Sequence, residues 1–160
     1  SFNLSATNIR VVDLQYLIDK NKYLNQLIEN IDKDQKIHIN KFNETELKLQ
    51  SNLERIDELK LILDNSELEK EINIYNQDFN QFNTNVNEFN LHYENQINKL
   101  KNVILENILE LLKKYSSDNE IDLILDSKSY ILSNNAINIT NIILTDLNKI
   151  NIKTNFEKFK

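Results

Sequence analysis

Residues 121–132 read IDLILDSKSYIL, and they follow about a hundred residues of helical periodicity. Here that periodicity stops abruptly, in short runs dense in Ile and Leu. That is a strand pattern: Ile121 to Asp126 as one strand, SKS as a turn, and Ser129 to Leu132 as a second. Two such short strands cannot stand alone. The reading of the fold therefore depends on what they pair with.

Upstream, the 48 residues ending at Tyr115 carry the clearest signal. Leu68, Ile72, Tyr75, Phe79, Phe82, Val86, Phe89, Tyr93, Ile97, Leu100, Ile104, Ile108, Leu111 and Tyr115 recur at steps of four and three. This predicts one long helix with a continuous apolar seam, its extra steps of four being stutters that relax a left-handed supercoil. Before it, Leu17, Leu24, Ile28 and Ile31 are helically spaced. Ile28, Gln35, Phe42, Leu49, Ile56 and Leu63 then lie seven apart, a narrower and interrupted seam. The pattern breaks at Asp64-Asn65-Ser66. Ser66 with Glu69 has capping-box spacing, which predicts a tight turn between two helices rather than one uninterrupted helix. Two helices of about 48 residues, about 70 Å each, would pack as an antiparallel hairpin.

A hairpin brings its ends together. The β-branched run IRVVDL, Ile9 to Leu14, then becomes a neighbour of IDLILD, giving a small sheet of about three strands. Asn138-Ile139-Thr140 caps a final helix with Ile142, Ile143, Leu147 and Ile150 on one face. The expected fold is α+β, mostly α: a coiled-coil hairpin arm (17–117, tip near 64–66) on a small β body, formed by residues 1–16 and 118–160. So small a sheet has open edges, which self-association would cover.

Composition narrows the function classes. The 160 residues include no Cys, so there is no disulfide, thiolate metal site or Cys nucleophile. Gly is absent, which excludes Gly-rich phosphate loops, and Pro is absent, so nothing interrupts the helices. The 28 Asn and 22 Ile fit an AT-biased genome, and chance then accounts for the Asn-X-Ser/Thr sites at Asn3, Asn43 and Asn138. Turns fall to Asn, Asp and Ser. Net charge is −6 with no basic stripe, which disfavours nucleic acid. No apolar run reaches the roughly 20 residues of a membrane span. The chain opens SFNLSATNIR without Met, which reads as a processed N-terminus with an export signal removed.

His38 and His92, the two histidines, lie beside the seam without a helically spaced second ligand and read as coiled-coil filler. Glu69 and Glu71 point to different helix faces. Ser116-Ser117 reads as helix termination, and no Ser-His-Asp set has supporting context. An enzyme is not expected, nor any cofactor or metal. Tyr75, Phe79, Phe82, Phe89 and Tyr93 have two readings: packed seam, or rings that contact a partner, with Asn80, Asn83, Asn85 and Asn87 keeping the flanks polar and uncharged.

The order strand, long helix, tip, long helix, strand, turn, strand, short helix resembles the Skp/OmpH family of periplasmic chaperones. The likeness rests on the opening IRVVDLQYLI, on Leu68-Glu69-Lys70-Glu71, and above all on EIDLILDSKSYILSNNAINITNIILTDLNK. It implies a homotrimer with a β-structured body and three hairpin arms around a cavity. Unfolded outer-membrane β-barrel proteins would be held there without ATP, in the periplasm. By position it makes Ile9, Val11, Ile121, Leu123 and Leu125 candidates for the trimer body. Val12 and Ile124 would face the helices, although which alternating set faces which side stays open. One departure stands out. Residues 44–71 hold nine acids and four bases, a net −5 at the tip. The family's arms are basic, so membrane or lipopolysaccharide contact is not expected of these acidic tips. The rival class is a coiled-coil spacer or adaptor binding one folded partner, which has no use for the strand-strand-helix block.

Overall fold

The structure, a computed structural model, describes residues 6–160. Residues 1–5 lie outside the described residues, and with them the Asn3 site. Strand β1 (Ile9–Val12) leads into the short helix α1 (Leu14–Asp19) and the long helices α2 (Lys22–Leu59) and α3 (Asn65–Asp118). Strand β2 (Leu123–Asp126), two single 3-10 turns and helix α4 (Thr140–Leu147) complete the order. The chain forms two compact units. A body unit holds the residues up to Glu29 with Gln96–Phe156, and an arm unit holds Asn30–Asn95 with Glu157–Lys160.

In the body, β1 and β2 pair in parallel, with Ile9 opposite Leu123 and Val11 opposite Leu125. A parallel pair needs a crossover connection, and here everything from α1 to α3 supplies it. The expected neighbouring strands are therefore found. The expected strand at Ser129 to Leu132 is not: Ser127–Ser129 form a 3-10 turn, and Ile131 and Leu132 are fully exposed. The place beside β1 goes instead to Asn138, bridged to Val11, with the Ile139 amide donating to the Val11 carbonyl at 2.9 Å. Ile139 is buried and Thr140 caps inward, so this segment offers the sheet more apolar burial and better local hydrogen bonding than the exposed Ile131 pair.

Asn, Asp and Thr caps do the work of the missing glycines and prolines. The Asp13 carboxylate accepts from the Tyr16 amide (2.9 Å) to start α1. Thr140 Oγ1 accepts from the Asp13 amide (2.9 Å), and Asp126 accepts from the Leu14 amide (3.1 Å). Where the helical spacing from Leu17 predicts one unbroken helix, the chain breaks at Lys20-Asn21. The buried Asn21 side chain accepts from the amides of Tyr23 and Leu24, which is an N-cap at the start of α2. The end of α3 turns at Glu120, whose φ of 52° is left-handed. The Ile121 amide reaches back to the Ser116 carbonyl (3.0 Å), the long bond of a helix stop that glycine ordinarily makes. Leu17, Ile104, Ile108, Ile143 and Leu147 form the body core. Past Ile108 the seam turns to Leu112 rather than the expected Leu111, and Ile142 is half exposed while its neighbour Ile143 is buried.

In the arm, α2 and α3 pack as an antiparallel hairpin. The turn occupies Lys60 to Leu63, slightly earlier than read from sequence. Asp64, not Ser66, caps α3, accepting from the Glu67 amide at 2.8 Å. Because α3 begins at Asn65, residue 64 takes the N-cap place, where Asp serves as well as Ser. The seam of α2 also differs. Ile31, Asp34, Leu49 and Ile56 are buried with Phe42 partly so, whereas Ile28 is exposed. Ile31, Asp34, His38, Phe42, Thr45, Leu49, Asn52 and Ile56 step by three and four; the polar members hid this row from a search for apolar residues.

Candidate functional site: an aromatic groove on the arm

The site forms where α2 and α3 face each other over residues 34–52 and 78–93. Phe89 is its centre and is buried. Its ring meets Phe42 (5.1 Å between centroids), Tyr93 (5.1 Å) and His38 (5.5 Å), the first two edge to face. That geometry sets the electron-poor edge of one ring on the electron-rich face of another. Phe82 stands edge-on to Phe42 at 6.1 Å. Nearer the tip, Tyr75 stacks on Phe79 (6.1 Å, 15°), and Phe79 remains 43% exposed. The five aromatic residues singled out from sequence thus divide. Phe89 and Tyr93 lie in the helix interface, Phe82 lines the groove, and Tyr75 with Phe79 forms a separate outward pair.

Asp34 is the polar anchor. A buried carboxylate is costly unless hydrogen-bonded, and this one accepts from the Tyr93 hydroxyl and from the Phe159 amide (3.3 Å), with His38 Nε2 3.7 Å away. Burial pushes its pKa up. The bonds from Tyr93 and Phe159 and the nearby His38 and Lys158 outweigh burial, so the carboxyl titrates below its ordinary value. Tyr93 moves the other way, up to about 12, through burial and through donating to the Asp34 carboxylate. The pair is built to hold a proton on Tyr93 and none on Asp34.

The closing segment lies in this site. Residues 157–160 have no regular secondary structure, yet the Phe159 ring approaches His38 (5.4 Å), Phe89 (5.5 Å) and His92 (5.6 Å). The Glu157 carbonyl accepts from His92 Nε2 at 2.8 Å. Sequence reasoning missed Asp34 and Phe159. The signal available was NFEKFK, two aromatic residues three apart after the last helix, together with one acid on a seam row. Beside Phe159 a groove of about 550 Å³ continues along Phe42, Thr45, Leu49, Asn52 and Phe82. The candidate body residues divide as well. Val11 and Ile121 are buried within the chain, Leu123 is 45% exposed, and Ile9 and Leu125 are partly covered.

Nothing in this arrangement resembles catalytic machinery. Among the described residues no group of three or more His, Cys, Asp or Glu could hold a metal, and no helix is long and apolar enough to cross a membrane. A helical-hairpin arm with an aromatic groove, joined in sequence to a small parallel sheet, defines a binding protein. The chain belongs to the OmpH-like outer membrane protein family, whose model matches residues 8–147. That family is one of chaperones and not of enzymes, and a chaperone role follows for this chain. Among solved structures, a candidate outer membrane chaperone (OmpH-like) from Caulobacter crescentus shares the fold. It is 12% identical, with a TM-score of 0.70, covering 100% of this chain and 95% of that one. No curated protein matches the sequence.

Proposed function

We propose that the chain is an ATP-independent holdase that works as a homotrimer in the periplasm. Unfolded outer-membrane β-barrel proteins would be held between the arms by many weak contacts whose avidity comes from their number. The observation that carries this reading is the arm groove. It exposes aromatic and aliphatic surface beside neutral polar residues such as Thr45, Asn52 and Asn85 and charges of both signs such as Lys41, Lys48, Asp78 and Glu88, a mixed chemistry suited to weak contact with many sequences. Leu47, Leu61, Ile62 and Ile74 add further exposed apolar surface on the arm.

Self-association has its own support. Among the described residues β2 pairs only with β1 and so keeps an unpaired edge. A groove of about 760 Å³ runs beside it, lined by Val12, Leu109, Leu112, Ile121 and Ile124 among others. Ile131 and Leu132, fully exposed, are apolar groups of the kind such a groove takes from a second copy. A donor segment on one copy that fills a groove on the next makes a head-to-tail contact, and such contacts close into a ring when the rotation between copies allows it. Tyr130 to Leu132 would then gain as a subunit contact what they lack in the single chain.

The test joins two measurements. Light scattering over a range of concentrations is expected to give the mass of three chains. An unfolded β-barrel protein diluted from urea should then stay soluble at one trimer per client without nucleotide. A monomer that leaves aggregation unchanged would instead identify a coiled-coil adaptor for a folded partner.

A further inference from the structure

We infer that the Phe159 position on the arm is an exchangeable peptide site. It takes an extended segment bearing an aromatic side chain, and Glu157–Lys160 is its resident occupant. This rests on the holdase reading and names where and how one client segment is held.

Three observations carry it. First, the resident segment is held as a ligand would be. It has no secondary structure of its own, and two of its contacts are backbone ones: the Glu157 carbonyl accepting from His92 and the Phe159 amide donating to Asp34. Any extended chain offers the same carbonyl and amide, so these contacts are indifferent to sequence. The ring carries the aromatic preference: His38, Phe89 and His92 surround it at 5.4–5.6 Å, with the edge-to-face geometry that aromatic groups favour, while Lys158 adds a positive charge near Asp34.

Second, the site survives the loss of its occupant. Asp34 keeps the Tyr93 hydroxyl and the nearby His38, so departure of the Phe159 amide does not strand a buried charge. Phe89 keeps Phe42 and Tyr93. Third, there is more room than the segment fills. The groove of about 550 Å³ leads on from Phe159 and Lys160 past Phe42, Leu49 and Phe82, which gives a longer segment further side-chain positions. A resident segment competes with any incoming one, so the apparent affinity falls by the fraction of time the site is vacant.

The experiment uses the full chain and a fluorescein-labelled peptide NFEKFK, the sequence of residues 155–160. In anisotropy titrations Phe159→Ala is expected to bind it about tenfold more tightly than the unsubstituted protein. The same peptide with Ala in the place of both its Phe residues should bind neither. Equal affinity for the two proteins, or equal binding of the Ala peptide, overturns the site. A second readout needs no variant. The protein has two histidines, both in this site, so their imidazole NMR signals should move on adding excess peptide and stay still with the Ala peptide. Immobile signals at millimolar peptide overturn the proposal. Client aggregation is scored separately. Suppression without peptide binding discards this site and leaves the holdase standing, whereas peptide binding without suppression supports the site and discards the holdase.

Discussion

Asp34 shows how one residue can anchor a helix interface through charge. Its carboxyl is held below the ordinary range, so it stabilises the fold at pH values above the unfolded carboxylate's pKa of about 3.9. That stabilisation is lost as pH falls through the lower, folded pKa. Asp34→Asn should therefore flatten the acid limb of the stability curve below about pH 4, read by urea melts at pH 7 and pH 3. Tyr93→Phe removes the hydroxyl donor and leaves a buried carboxylate with one partner fewer. We expect a loss of about 1–3 kcal/mol at pH 7, together with an acid midpoint moved to higher pH. Glu120 offers the opposite sign. A side chain in the left-handed region costs about 1–2 kcal/mol, so Glu120→Gly should raise stability by about 1 kcal/mol, seen as a higher denaturation midpoint with unchanged slope.

At the scale of elements, legibility followed period. The long apolar series of α3 fixes its length and most of its buried face, and the neighbourhood of Ile9–Val12 and Leu123–Asp126 follows once a hairpin is assumed, whereas their parallel sense comes from the structure. Three things were hidden, each for a physical reason. The α2 seam carries Asp34, His38, Thr45 and Asn52, which a count of apolar residues passes over. The Lys20-Asn21 break looks helical because its neighbours keep the period; only the buried Asn21 cap reveals it. Residues 129–132 have strand composition but no strand partner among the described residues, and composition does not report pairing. The groove itself was half legible. Its rings stand out in the sequence, but the segment that fills it lies 65 positions beyond His92. The tip tests the cap assignment: Asp64→Ala should cost the first turn of α3 about 1 kcal/mol, visible as faster amide exchange at Glu67 and Leu68, while Ser66→Ala should leave exchange there unchanged.

For the whole molecule, charge sets a prediction that rests on the trimer. Three tips would gather about −15 between residues 44 and 71. Such repulsion is screened within about 10 Å at 0.1 M salt, so the radius of gyration from small-angle scattering should fall across a salt series from 10 mM to 500 mM. A constant radius would show that the tips do not sense one another. Ile131→Asp with Leu132→Asp should shift the mass toward single chains while helix content stays unchanged. The sheet also carries a consequence in time. Asn8 and Asp122, which bond at the mouth of the β1–β2 pair, are 114 positions apart, whereas the arm closes on a turn of a few residues. Loop closure of that span is slow compared with growth of a hairpin from its tip. Refolding should thus show helix first and sheet later. In that interval the chain carries two unsatisfied strands of its own, so for a short time the chaperone is itself a client-like polypeptide.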